Sequence, residues 1–248
     1  MLSDKTPLPN KYEEIVRSSP FFSGLDDEII REMLTAFRPE RWKKGTCNLV
    51  DETNQKFHVL ISGRLEITRS HPETGRTVTL WLLEPGDVFD IVSLLDGKPH
   101  HIVPMAIDDV EVLSTPMETA RRWLHKYPDL CKNVLPYLGQ KFRKIENLAT
   151  DLAIHDTMTR IASLILRHAE PPGEKTGDNS GTPISIYGMS HEALARMVGT
   201  VRVVVNRHLR HWKEKGIIDY KRGRLIIKDL EALANRCKTL YDSTRKNR

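Results

Sequence analysis

The sequence predicts an α+β protein that begins with a double-stranded β-helix, or β-roll, continues through one long helix and ends in a winged helix-turn-helix. Three observations predict this fold. Short apolar runs alternate with turn residues from Glu40 to Thr115, apolar residues recur at helical spacing from Leu135 to Ile154, and a helix-turn-helix pattern covers Ser190 to Trp212. At 248 residues the chain is long enough for two ordinary domains and a connector. The predicted parts are residues 1–135, 136–156 and 157–248.

Two short helices are predicted first, around Tyr12–Ser18 and Asp26–Phe37. Strands are predicted wherever a short apolar run is bounded by turn residues. These runs are residues 57–61, 65–68, 77–83, 88–92, 102–107 and 110–113. Strands of this length and spacing indicate a small antiparallel barrel or roll.

A long helix with an apolar seam is predicted after the roll. The seam residues are Leu135, Leu138, Phe142, Ile145, Leu148, Leu152 and Ile154, with charged residues between them. Such a seam suits pairing with a second copy of the chain. The alternative is a helix that packs on its own roll. The Pro/Gly-rich segment 171–183 is predicted to be a loop inside the C-terminal domain.

The helix-turn-helix is the most informative pattern in the chain. Ser190 suits an N-cap, and Gly199 stands where the bend needs a positive φ. Leu194 and Val198 are expected to face inward from the first helix. The second helix is expected to begin near Val201, with a buried stripe. The members of that stripe are Val201, Val205, Leu209 and Trp212.

The opposite face of the second helix is basic and suits the DNA major groove. Gly216 is expected to end this helix, and two strands at residues 217–220 and 225–227 then form a β-hairpin wing around Lys221–Gly223. A pair of packed helices with a solvated basic face is the alternative. The candidate DNA-contacting residues are Ser190, Thr200, Arg202, Val203, Asn206, Arg207, Arg210, Lys213, Lys221 and Arg222.

Charge is distributed unevenly along the chain. From Ser190 to the end there are 15 Lys and Arg against 6 Asp and Glu, a net charge of +9, whereas the rest holds 23 and 27, a net charge of −4. A basic C-terminal module on a mildly acidic body is typical of a DNA-binding domain attached to a regulatory domain. The three cysteines are far apart, so neither a disulfide framework nor a metal site is expected. We expect a cytoplasmic protein with no membrane partner and, because no catalytic motif occurs in the sequence, no enzymatic activity.

Residues 58–89, HVLISGRLEITRSHPETGRTVTLWLLEPGDVF, resemble the cyclic-nucleotide-binding β-roll of the Crp/Fnr family of bacterial transcription regulators. The markers are the Ser62-Gly63 hairpin, the Gly75 turn and the turn 85–87. Residues 21–33, the connector 126–169 and the helix-turn-helix also match the family's segments, in the family's order. The resemblance implies a homodimer that binds near-palindromic double-stranded DNA, with Arg202 and Arg207 at base-contacting positions and RNA polymerase as a partner.

The resemblance also shows where this chain departs from members that bind cAMP. Those members carry a Gly-Glu pair after the Pro-Gly-Asp turn, an Arg-Ser pair about ten residues later and a Thr-Ser pair on the long helix. Here Asp90-Ile91, His101-Ile102 and Ile145-Glu146 stand at or near those positions. A cyclic phosphate needs a cation or an amide nest, and isoleucine supplies neither. Cyclic AMP is therefore not expected.

Another effector remains open, since some family members sense gases, redox state or small acids through the roll. Haem or another small effector is possible, because His is a common haem ligand. A solvated turn is the alternative for the two adjacent histidines. Cys47 is interpreted as a buried structural thiol, with a redox or haem ligand as the alternative, and His58 as a core or edge residue. The candidate effector-pocket residues are Asp90, Ile91, His100, His101, Ile145 and Glu146.

Two functions follow from these patterns. The first is a dimeric DNA-binding transcription regulator controlled by a signal at the roll. The alternative is a ligand-binding regulatory module that acts on a protein partner through its basic C-terminal domain.

Overall fold

The predicted order of roll, long helix and winged helix-turn-helix is confirmed by a computed structural model, which describes residues 10–47, 55–168, 185–187, 190–221 and 224–237. These residues form two compact units. The first holds the described residues up to Glu146 except 77–79, and the second holds 77–79 and the described residues from Asn147 onward. The boundary lies inside the long helix.

The N-terminal part alternates short helices with short strands. In chain order these are α1 (Asn10–Ser18), α2 (Asp27–Ala36), β1 (Arg38–Trp42), β2 (Lys56–Ser62), β3 (Leu65–Ser70), β4 (Thr77–Leu83), β5 (Val88–Phe89), α3 (Ile91–Asp96), β6 (Val103–Ala106), β7 (Val110–Pro116) and α4 (Met117–Lys126). The strands form two sheets, in the orders β1-β7-β2-β5 and β4-β3-β6. Strand β7 pairs antiparallel with both β1 and β2, and His58 of β2 lies opposite Phe89 of β5.

Strand β2 shows how the roll obtains two apolar cores. Phe57 and Val59 point into one core, which also holds apolar residues of α1, α2 and α4. Leu60 points into the other, between the two sheets, with Leu65 and Ile67 of β3. Successive side chains of a strand face opposite sides, so one buried strand can serve both cores.

The long helix α5 spans Pro128–Ile154, 27 residues. Its first turns are anchored on the roll by buried Val134 and Tyr137, and Leu138 packs against the same core. Leu135, Phe142 and Ile154 are instead between 65 and 74% exposed. The predicted seam is therefore divided: Leu138 packs on its own roll, whereas Leu135, Phe142 and Ile154 are left mostly in solvent.

The second unit carries the winged helix-turn-helix. Its elements are α6 (Thr157–Arg167), β8 (Ser185–Tyr187), α7 (His191–Met197), α8 (Arg202–Glu214), β9 (Ile218–Lys221), β10 (Arg224–Ile227) and α9 (Leu230–Asn235). The three strands form one antiparallel sheet in the order β8-β10-β9. The hairpin β9–β10 confirms the wing, and β8 is a third strand that the sequence pattern did not indicate. The predicted loop 171–183 lies outside the described residues.

Three expectations are wrong in detail. The strand expected at 88–92 ends at Phe89, because Asp90 adopts a left-handed φ of 65° and starts helix α3. An apolar run this short is equally compatible with a buried helix. Val201 is 51% exposed and precedes α8 as its N-cap, so it does not belong to the buried stripe. Cys47 is exposed rather than buried.

Among the described helices, none has the length and apolarity needed to cross a bilayer.

Candidate nucleic-acid interface and effector pocket

The recognition helix α8 is held by the local chemistry that the sequence predicted. The Ser190 hydroxyl accepts a hydrogen bond from the Ala193 N–H at 3.1 Å and caps α7. Gly199 turns the chain with a φ of +67°, and the Thr200 N–H then donates to the Ala195 carbonyl at 2.9 Å. Val205, Leu209 and Trp212 are at most 1% exposed. These contacts fix one face of α8 and leave the other face free.

The outer face of α8 presents the predicted cations. Arg202, Arg207 and Arg210 are exposed, and Val203 is 76% exposed. Lys213, near the end of the helix, lies 3.7 Å from the Asp219 carboxylate of β9. These five predicted DNA-contacting side chains thus share one open helix face, where they can reach base edges or phosphates.

The remaining predicted DNA-contacting residues occupy different settings. The Ser190 hydroxyl is already hydrogen-bonded as the N-cap of α7, and Thr200 is half-buried in the turn. Strand β9 ends at Lys221, whose side chain lies outside the description, and Arg222 lies outside the described residues.

Asn206 differs from its neighbours because its side chain is engaged. Its Oδ1 contacts Nδ1 of His191, the first residue of α7, and Nε2 of the same ring lies 3.1 Å from the Tyr220 hydroxyl of β9. All three residues are half-buried. Burial raises the pKa of Tyr220 well above its ordinary range, so its hydroxyl keeps its proton. This network joins both helices to the wing, and the sequence analysis did not find it.

A small pocket with a cavity volume of about 50 Å³ lies in the roll, against the first half of α5. Most of its wall is apolar, including Trp81, Phe89, Ile91 and Ile102. The polar side chains that line it are Asp90, His100 and Lys141. Mostly apolar walls with a few convergent polar groups are typical of a small-molecule site.

Asp90 is the most unusual residue of this pocket. It is 2% exposed and is the non-glycine residue with a positive φ among those described. Its Oδ2 lies 3.4 Å from Nδ1 of His58, which is also buried and stacks on the Phe89 ring at 4.5 Å. Burial raises the pKa of Asp90, and the nearby His58 opposes that shift only in part. Burial likewise lowers the pKa of His100, so both groups favour their neutral forms.

Lys141 connects the pocket to the turn 85–87. Its Nζ lies 2.5 Å from Oδ1 of Asp87, and the Tyr137 hydroxyl lies 3.0 Å from the same oxygen. The Val88 N–H donates to that hydroxyl at 3.0 Å. Burial lowers the pKa of Lys141, opposed by the attraction of Asp87. The cation of the pocket is therefore already paired.

The six predicted pocket residues divide evenly. Asp90, Ile91 and His100 line the pocket. His101 is exposed in a tight turn, where the Ile102 N–H donates to the His100 carbonyl at 2.9 Å. Ile145 is half-buried and Glu146 is exposed on α5, and neither lines the pocket. The sequence analysis missed Lys141 and Tyr137. They lie four positions apart on α5, so both side chains reach Asp87 of the Pro-Gly-Asp turn, and this spacing is the signal that could have found them.

Two family models match this chain. The model of the Crp-like helix-turn-helix domain matches residues 159–236, and that of the cyclic nucleotide-binding domain matches residues 42–127. The chain belongs to the Crp/Fnr family. As a Crp/Fnr protein it is a transcription regulator with a cyclic-nucleotide-binding-like domain and a DNA-binding helix-turn-helix.

Known proteins align with the Crp/Fnr chain over most of its length. A CRP-like cAMP-activated global transcriptional regulator of Mycobacterium tuberculosis is 26% identical over 227 residues, which are 91% of this chain and 100% of the relative. A global nitrogen regulator of Nostoc sp. is 29% identical over 207 residues, 80% of this chain and 90% of the relative.

Solved structures share the fold. A CooA mutant from Carboxydothermus hydrogenoformans superimposes with a TM-score of 0.66 at 23% identity, covering 95% of this chain and 97% of its own. FixK2 from Bradyrhizobium japonicum gives a TM-score of 0.65 at 18% identity, covering 80% and 96%.

The described residues that line this pocket do not fit a cyclic nucleotide. A cyclic phosphate needs an unpaired cation or a nest of amides. The cation in this wall is Lys141, which is bound to Asp87, and a buried carboxyl group, Asp90, faces the same space. Burying a phosphate anion in this mostly apolar cavity would be costly, because the Lys141 cation is already bound to Asp87 and would leave the phosphate without a counter-charge.

Proposed function

We propose that this Crp/Fnr regulator acts as a homodimer on near-palindromic double-stranded DNA and is controlled by a small effector other than a cyclic nucleotide. The observation that carries the proposal is the outer face of α8, where Arg202, Arg207 and Arg210 stand exposed on a helix whose other face is buried. This arrangement supports insertion into the major groove. We expect a cytoplasmic protein without enzymatic activity, and RNA polymerase as a further partner.

The exposed part of the α5 seam supports the dimer. Leu135, Phe142 and Ile154 are large apolar side chains left mostly in solvent. Leu135 and Phe142 lie two turns apart on one side of α5, and such side chains are stabilised when they pack on the same side of a second copy. A two-fold dimer places two recognition helices about one DNA turn apart, so each half-site is contacted in the same way.

The roll pocket supports control by an effector. Its wall is apolar, Lys141 is paired with Asp87, and Asp90 and His100 favour their neutral forms. We therefore propose a largely apolar effector without a phosphate group. Because Leu138 and Lys141 line the pocket and belong to α5, an effector here lies against the helix that we assign to dimerisation.

Salt-dependent DNA binding tests the proposal. The logarithm of the association constant should fall linearly with the logarithm of salt concentration, by about 0.9 per phosphate contacted. Arg210→Gln and Lys213→Gln should each flatten that slope by roughly one unit. Lys132→Gln, which removes an exposed cation of α5 in the first unit, is the matched control and should leave the slope unchanged.

The alternative, a module that docks on a protein partner, makes a different prediction. It expects no sequence preference among duplexes and the same slope for all three variants. The match of residues 159–236 to the Crp-like helix-turn-helix favours DNA as the partner.

A further inference from the structure

Asn206 of the recognition helix α8 is oriented by a network of side chains from helix α7 and wing strand β9. Its Oδ1 contacts Nδ1 of His191, and Nε2 of that ring lies 3.1 Å from the Tyr220 hydroxyl. The His191 and Tyr220 rings meet at 62° with their centroids 5.3 Å apart. The imidazole is thus held by a packing contact and by a polar partner on each nitrogen.

The chemistry of these atoms fixes which ones carry protons. An amide oxygen can only accept, so Nδ1 of His191 donates to Asn206. In the neutral imidazole the other nitrogen accepts, and the Tyr220 hydroxyl is the donor at that position. Tyr220 therefore holds His191 in the tautomer that binds the amide oxygen.

We infer that His191 turns the amide oxygen of Asn206 inward, so that the recognition helix offers only N–H donors to DNA at this position. The inference rests on the proposed DNA-binding function, which places α8 in the major groove. Asn206 lies one turn from both Arg202 and Arg210, on the same side of α8 as Arg207. His191 acts here as a positioning residue, because it sets the orientation of a side chain that contacts DNA.

A donor-only amide favours particular bases. An asparagine that binds adenine in the bidentate manner uses its oxygen and its NH₂ group together, and here the oxygen is engaged by His191. The NH₂ group can still donate to O6 and N7 of guanine or to O4 of thymine, whereas at adenine it can reach only N7 and leaves the N6 amine without an acceptor. Cytosine presents an amine donor at this edge and is disfavoured. Asn206 should therefore prefer guanine or thymine over adenine and cytosine.

Competition binding with duplexes that differ at one base pair tests the inference. The pair contacted by Asn206 is the one whose preference changes in Asn206→Ala. The wild-type protein should favour guanine or thymine there. His191→Phe keeps a ring but removes both nitrogens, so the freed amide should gain adenine, and discrimination against adenine should fall about fivefold or more.

Two further variants keep the test decisive if His191→Phe does not fold, which a thermal melt shows. His191→Gln can still donate to the amide oxygen and should keep the wild-type preference. Asn206→Asp presents only acceptors and should shift the preference toward cytosine or adenine. His211→Phe, the same change on α8 outside the network, should leave the preference at this base pair unchanged.

The contrary outcomes are separable. Wild-type selection of adenine or cytosine would show that the amide oxygen faces DNA, and would overturn the inference. If His191→Phe lost affinity equally for all duplexes and kept the wild-type base preference, His191 would have only a structural role, and the inference would be wrong. Absence of any sequence preference in the wild-type protein would instead contradict the proposed function.

Discussion

The carboxyl group of Asp90 lies 3.4 Å from the imidazole of His58, and both side chains are at most 2% exposed. Neither Asp90 oxygen has a hydrogen-bond partner in the described chain. Asp90 also holds a left-handed backbone conformation, which aspartate and asparagine tolerate better than most residues. A buried acid in a strained position is a common feature of functional sites.

Asp90→Asn should stabilise the protein at neutral pH. The folded-state pKa of Asp90 is raised by burial, so the folded chain holds this proton at pH values where the unfolded chain has lost it. The stability that protonated Asp90 provides is complete below the unfolded pKa and is lost as pH rises through the folded pKa. The melting temperature of Asp90→Asn should therefore exceed that of the wild type at pH 7, and the difference should vanish in acid.

Asp87→Asn is the control for that comparison and should act in the opposite direction. It leaves the mostly buried Lys141 ammonium without its carboxylate, which should destabilise the roll by about 3 kcal/mol or more at neutral pH. A lower melting temperature for Asp90→Asn at pH 7 would mean that the Asp90–His58 pair is stabilising as an ion pair.

Phe142→Glu should weaken the dimer. Phe142 is 65% exposed on α5 and belongs to the seam that we propose to pair with a second copy. Two charges introduced at a symmetric contact should raise the dimer dissociation constant about tenfold or more. Sedimentation velocity measures this constant directly. Arg143→Glu, the neighbouring exposed position, should have a smaller effect; an equal effect would place the interface elsewhere.

Gly199→Ala should destabilise the helix-turn-helix by more than 1 kcal/mol. A methyl group there meets a backbone φ of +67° and lies 2.6 Å from Cδ2 of Leu152. Gly216→Ala is the matched control, because Gly216 has a φ of +72° but open space around it. It should cost only the conformational strain, about 1 kcal/mol. Chemical denaturation measures the free energy of unfolding of both variants. An equal loss of stability would show that the Leu152 side chain moves aside at no cost.

Val203→Glu should change the base preference of the regulator. Valine cannot accept a hydrogen bond but can pack on a thymine methyl group, so an A·T pair is expected opposite Val203. Glutamate can accept from a cytosine amine, and the substitution should move the preference toward C·G by about 1 kcal/mol or more. Competition between duplexes changed at that pair measures the shift. An unchanged preference would show that Val203 does not face the bases.

The DNA-binding domain was predicted well because its determinants are local. The Ser190 cap, the Gly199 turn and the buried stripe from Val205 to Trp212 each depend on neighbouring residues. Val201 shows the limit, because its burial depends on where the helix begins. The exposure of Val203 agrees with the helical geometry expected from the sequence.

The pocket was predicted less completely because it is assembled over long sequence separations. Asp87 and Lys141 are 54 positions apart, and His58 meets Asp90 only because β2 pairs with β5. His191 and Tyr220 are likewise brought together by the wing. Spacing alone does not reveal such contacts, and it did not separate half-buried His100 from its exposed neighbour His101.

Selection of binding sites from a random duplex pool by the wild-type protein tests the central claim most directly. We predict enrichment of a near-palindrome whose half-site centres lie about 10 base pairs apart, as two recognition helices of a two-fold dimer require. Enrichment of a single half-site without its symmetric partner, or of no sequence at all, would contradict the account.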